Sequence, residues 1–86
     1  MVKVAQCESF TQQYDPTTGG VFKGYYNPKD IGLFQINQDA WGATEVQLGV
    51  NVDTLQGNLE MAQYILKTQG LNAWIYSYPC WGKRDA

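Results

Sequence analysis

Between Asp53 and Gly70 the apolar residues Leu55, Leu59, Ala62, Ile65 and Leu66 recur at the spacing that places side chains on one face of a helix. Asp53 with Gln56 predicts a capping-box-like start and Gly70 a natural end, so this is the clearest local element of the chain. Asn58 falls on the same side as the stripe, where a polar side chain needs hydrogen-bond partners. Upstream, Asp39 is placed to cap a helix from Ala40 to Leu48 that stops at Gly49. Residues 1 to 12 read as a short helix with Val4, Ala5 and Phe10 facing inward and Glu8 near its end. Tyr14 to Gly20 is turn chemistry, Val21 to Tyr26 alternates as a strand, Asn27-Pro28 turns again, and Ile31 to Ile36 predicts a further strand. Leu71 to Tyr76 predicts a short last helix before Cys80-Trp81. With no repeat, low-complexity run or linker, residues 1–86 are expected to form one α+β domain, mainly α, with a small antiparallel sheet.

Composition narrows what such a domain can do. A chain of 86 residues buries only about 60 to 65 per cent of its unfolded surface, which makes a covalent staple valuable. Cys7 and Cys80 are the candidates, the alternative being two buried thiols. Bridging them closes most of the chain into a loop, worth roughly 4 kcal/mol by loop-closure entropy, and implies an oxidising compartment. The absence of histidine removes Ser-His and Cys-His nucleophile systems and most zinc peptidase or amidase sites. No metal or other cofactor is expected. A net charge of −2 with both signs dispersed suggests neither nucleic acid nor a membrane surface as partner. No run is long enough to cross a bilayer and no basic-then-apolar leader opens the chain. Met1 stands so close to Glu8 that the chain reads as a domain taken from something longer.

Two carboxylates stand out as candidate chemistry. Glu8 follows the apolar-biased stretch Val2 to Cys7, whereas Asp30 follows the polar turn Asn27-Pro28-Lys29. Such a difference in surroundings keeps one carboxyl protonated and the other ionised, as glycoside cleavage requires. On a regular pleat Gln35 and Asn37 face one side and Asp30 the other, so the three line one cleft only if the chain bends, and Gly32 is placed to bend it.

Three blocks of the sequence carry a family resemblance. Glu8-Ser9 resembles the catalytic Glu-Ser of the lysozyme superfamily, Asp30-Ile-Gly-Leu-Phe-Gln-Ile-Asn37 resembles the lysozyme pattern Asp-Tyr-Gly-Ile-x-Gln-Ile-Asn, and Asn72-Ala73-Trp74 resembles the Asn-Ala-Trp that walls the cleft. The chain thus resembles a lysozyme-like domain with features of chicken-type lysozymes and soluble lytic transglycosylases. It departs from the family at Phe10-Thr11, where Gly-Phe is common, and at Ile65, where many transglycosylases carry tyrosine. The resemblance implies a cleft between sheet and helices, with Glu8 as general acid and base against the bond between N-acetylmuramic acid and N-acetylglucosamine. It implies Asp30 as the second carboxylate, Gln35, Asn37, Trp74 and Tyr76 as substrate contacts, and Asn58 with Gly32 as structural supports. Tyr25, Tyr26 and Trp81 are further candidate sugar platforms. Hydrolysis with Asp30 stabilising or attacking the anomeric carbon is favoured. The alternatives are a lytic transglycosylase giving 1,6-anhydromuramyl products and a non-catalytic sugar-binding domain. The implied partner is the glycan strand of peptidoglycan, met by a monomer that is secreted, periplasmic or bound to the cell wall.

Overall fold

The N-terminal helix, α1 (Val2–Ser9), is shorter than its pattern suggested. Phe10 and Thr11 both take left-handed backbone angles, with φ of 55° and 61°, which stops the helix and turns Phe10 outward to 78% exposure instead of into the core. Val4, Ala5 and Ser9 remain on the buried face. The Ser9 hydroxyl donates to the Leu33 carbonyl at 2.7 Å, which ties α1 to the following hairpin. This is a computed structural model, and it describes residues 1–82.

The expected strand over Ile31 to Ile36 is instead a tight hairpin. β1 (Asp30–Ile31) pairs antiparallel with β2 (Ile36–Asn37), Asp30 opposite Asn37 and Ile31 opposite Ile36. Between them Gly32 and Gln35 both have positive φ, 73° and 51°, and the Gln35 N–H donates to the Gly32 carbonyl at 3.0 Å. Gly32 is also crowded: a Cβ there would stand 2.5 Å from Asn58 Nδ2 and 2.7 Å from Gln13 Oε1, so conformation and space both require glycine. Val21 to Tyr26 forms no regular strand, only single bridges at Tyr14–Val21 and Lys23–Ile31.

α2 (Gln38–Leu48) begins two residues earlier than expected, because Asn37 and not Asp39 is its cap: Asn37 Oδ1 accepts from the Ala40 N–H at 3.0 Å. Gly49, with φ of 70°, ends it as predicted. α3 (Leu55–Gln69) is capped by Thr54, whose Oγ1 accepts from the Gly57 N–H, rather than by Asp53. Its buried face is Gly57, Asn58, Met61, Ala62 and Ile65, while Leu55 and Leu59 are exposed. The stripe is rotated because Gly57 lies against the backbone of Asn51, where a Cβ would collide, and because Asn58 is drawn fully inside. A 3-10 segment (Gly70–Ser77) follows where a final α-helix was expected, broken at Trp74 (φ −112°, ψ 24°), and a one-turn helix α4 (Tyr78–Trp81) closes the described chain.

The result is a small α+β domain, mainly helical, with a two-stranded antiparallel sheet. Its core joins Val4 of α1, Ile31, Phe34 and Ile36 of the hairpin region, Met61 and Ile65 of α3, and Trp74. A disulfide between Cys7 and Cys80 links residues 73 apart in sequence across a Cα–Cα distance of 6.0 Å and fastens α4 to α1. No helix among the described residues is long and apolar enough to cross a membrane.

Candidate active site

The hairpin turn answers the geometric difficulty posed by Asp30. As direct cross-strand partners, Asp30 and Asn37 share a face, and Asn37 Nδ2 donates to Asp30 Oδ1 at 2.8 Å. Asn37 therefore uses its amide twice, holding Asp30 with its nitrogen and capping α2 with its oxygen. Gln35 is bent back by its positive φ, and its Nε2 donates to the Gly32 carbonyl at 3.0 Å.

Asn58 supports this hairpin from beneath. It is fully buried; its Oδ1 accepts from the Phe34 N–H at 2.9 Å, and its Nδ2 donates to the carbonyls of Ile31 at 2.8 Å and Val52 at 3.0 Å. Gln13, which the sequence pattern did not single out, does similar work. Its Oε1 accepts from the Leu33 N–H, and its Nε2 reaches the Val52 and Asp53 carbonyls. Two amide side chains thus satisfy the irregular backbone around Gly32.

Glu8 lies on the other side of the same pocket, near the end of α1. Burial pushes its carboxyl above the ordinary carboxylate range; a hydrogen bond from Ser77 opposes that rise, and the charge of Asp30 adds to it. The Ser77 hydroxyl donates to Glu8 Oε2 at 2.5 Å and lies 3.0 Å from the Trp74 carbonyl, while the Trp81 indole N–H donates to Ser77 Oγ at 2.9 Å. Trp74 is 4% exposed; its indole N–H donates to the Phe34 carbonyl at 2.8 Å, and its ring meets Phe34 edge-on at 6.1 Å. It is a core residue with one edge on the pocket.

That pocket has a volume of about 310 Å³, and Glu8, Asp30, Gln35, Asn37, Trp74 and Tyr76 all line it. Asn27, Trp41 and Ile65 line it too and were not expected there: Asn27 comes with the turn whose carbonyl accepts from the Asp30 N–H, while Trp41 and Ile65 reach the pocket through tertiary packing. Tyr76 projects from the rim at 99% exposure. Tyr25 and Tyr26 are 92% and 96% exposed and stack edge-on with each other, outside the pocket lining. Trp81 is likewise absent from the lining; its ring packs on Tyr78 and its N–H is shared between Ser77 Oγ at 2.9 Å and the Trp74 carbonyl at 3.1 Å. Among the described residues no cluster of side chains has the makings of a metal site.

No protein-family model, curated protein or solved structure matches this chain. The site is therefore read from its own chemistry. A carboxyl that burial pushes toward its protonated form lines the same pocket as Asp30, whose side chain is oriented by an amide, with aromatic residues in the lining. Such a pair can donate a proton on one side of a bond and stabilise positive charge on the other.

Proposed function

We propose that this chain is a glycosidase of the lysozyme type, acting on the β-1,4 bond between N-acetylmuramic acid and N-acetylglucosamine in peptidoglycan. The observation that carries the reading is the convergence of Glu8 and Asp30 on one pocket in unlike surroundings. Glu8 donates its proton to the glycosidic oxygen as the bond to the anomeric carbon breaks, the electron pair leaving with that oxygen. Asp30, fixed by Asn37, supports the oxocarbenium-like carbon. Water then adds to that carbon and gives its proton to Glu8, which returns the acid to its starting state. Tyr76 offers an aromatic face and Trp74 an apolar edge to the sugar rings, and Gln35 Oε1 is an acceptor for an acetamido N–H. The Cys7–Cys80 bridge fits a secreted, periplasmic or wall-associated enzyme.

Mass analysis of fragments released from purified peptidoglycan tests this directly. The parent should release fragments with reducing-end muramic acid, Glu8→Gln should release none while keeping its fold, and Asp30→Asn should be severely impaired. Dominant 1,6-anhydromuramyl products would assign the chemistry to internal capture by the muramyl 6-hydroxyl, for which Asp30 is less needed. Parent-level cleavage by Glu8→Gln would remove Glu8 as the acid, and a folded parent that binds glycan but releases nothing would make the domain a sugar-binding module.

A further inference from the structure

Ser77 has one hydroxyl hydrogen and two acceptors within reach, Glu8 Oε2 at 2.5 Å and the Trp74 carbonyl at 3.0 Å. Its oxygen at the same time accepts the Trp81 indole N–H at 2.9 Å. One hydrogen serves one of those acceptors well. When Glu8 is ionised its carboxylate is the stronger acceptor and takes the hydrogen in a charge-assisted bond. When Glu8 is protonated, its own O–H points at Ser77 Oγ, and the serine hydrogen turns to the Trp74 carbonyl. In that state Ser77 Oγ accepts from Glu8 and from Trp81 and donates once, which is the full capacity of a hydroxyl. The Trp81 indole N–H also lies 3.1 Å from the Trp74 carbonyl, so that carbonyl keeps a donor when the serine hydrogen is on Glu8.

We propose that Ser77 is a positioning residue for Glu8, reversing the sense of one hydrogen bond so that the carboxyl keeps the same place whether or not it carries its proton. A backbone N–H would favour the ionised carboxyl alone, and a carbonyl the protonated one alone; only a group that both donates and accepts serves each in turn. An acid that must give up a proton and then take one back passes through both states in every turnover. The location of Ser77 is fixed from two directions. Trp81 holds its oxygen from within the next turn of chain, and Cys80, beside Trp81, is bonded to Cys7, beside Glu8. The disulfide thus joins the backbone that carries the acid to the backbone that carries its partner.

Other ionisable groups around Glu8 come from each neighbouring element. Asp30 of β1 and Tyr76 of the 3-10 segment share the pocket lining with it, Tyr78 lies on α4, which packs against α1, and Lys3 sits toward the other end of α1 itself. A substitution at Ser77 removes none of these groups.

The catalytic consequence rests on Glu8 being the acid of the proposed glycosidase, but the hydrogen-bond exchange does not. Titration of the Glu8 carboxyl carbon by 13C NMR in the full chain reads the exchange without reference to activity. Ser77→Ala removes the donor to the carboxylate, so the Glu8 midpoint should move to higher pH; Ser77→Thr, which keeps a hydroxyl, should restore the parent midpoint, and Trp81→Phe should move it in the same direction as Ser77→Ala by less. In glycan cleavage the alkaline limb of the pH profile should follow these midpoints while KM stays at the parent value. Should Ser77→Ala fail to fold, Ser77→Cys, with its weak thiol donor, carries the same comparison. An unmoved midpoint in a folded Ser77→Ala or Ser77→Cys overturns the proposal whatever the activity, as does a threonine that fails to restore it. A midpoint that moves in a protein releasing no sugar upholds the exchange and defeats the glycosidase reading.

Discussion

Replacing Asn58 tests whether two buried amides hold the site together. Asn58→Leu keeps the volume close to that of the parent and removes three hydrogen bonds at once. The Val52 carbonyl retains a donor in Gln13 Nε2, but the Phe34 N–H loses its partner and the Ile31 carbonyl loses a short one. An orphaned buried group costs about 1–3 kcal/mol, so the two together predict a loss of roughly 2–6 kcal/mol. A domain of 86 residues has a stability on the order of 4–13 kcal/mol, so the variant would forfeit a large share of it. Asn58→Ala should lose roughly 1–2 kcal/mol more, from the cavity left in the core. Urea unfolding followed by far-UV circular dichroism measures both, and amide hydrogen exchange at Phe34 in the parent reports the bond itself. A loss under about 0.5 kcal/mol in Asn58→Leu, with an unchanged denaturant slope, would refute the claim that Asn58 anchors the hairpin.

Two other outcomes follow from the same structure. Reducing Cys7–Cys80, which closes a loop spanning 73 residues of separation, should lower the melting temperature by roughly 15–30 °C through a loss of roughly 4 kcal/mol; two thiols titrating in the native oxidised protein would contradict it. Glu45 on α2 is 7% exposed with Oε2 unpaired, and burial raises its carboxyl, with a Gln38 hydrogen bond opposing and Asp53 adding to the rise. A carboxyl raised on folding favours the native state in acid, and that contribution is lost as pH climbs from the ordinary 4.5 through the folded value. Glu45→Gln should therefore be more stable than the parent at neutral pH, the difference closing as pH falls below 4.5; a difference independent of pH would refute it.

The elements that could be read along the chain are those whose causes lie within a turn or two of backbone. The helix at Leu55–Gln69 follows from residues a few positions apart, and the stops at Gly49 and Gly70 follow from glycine's access to positive φ. Cys7 and Cys80 were the obvious pair because the chain has two cysteines. Glu8, Asp30, Gln35, Asn37, Trp74 and Tyr76 were candidates from short blocks of sequence, and the fold brings all six to one pocket.

What faces inward was decided elsewhere. The α3 helix was legible, but its buried face turned toward Gly57 and Asn58, because Gly57 allows the Asn51 backbone close and because the hairpin offers Asn58 the Phe34 N–H and Ile31 carbonyl. Phe10 points outward because the left-handed residues that end α1 swing it there, against its hydrophobicity. The run Ile31 to Ile36 has the composition of a strand, yet it folds back on itself because Gln13 and Asn58, distant in sequence, supply the hydrogen bonds that a turn in that place gives up. Ser77 meets Glu8 across 69 positions, brought there by packing and the disulfide. Periodicity and caps are short-range effects, so sequence alone reveals helices and their ends. Which face is buried, and which polar groups satisfy one another, depends on partners that only the assembled tertiary structure brings within hydrogen-bonding distance.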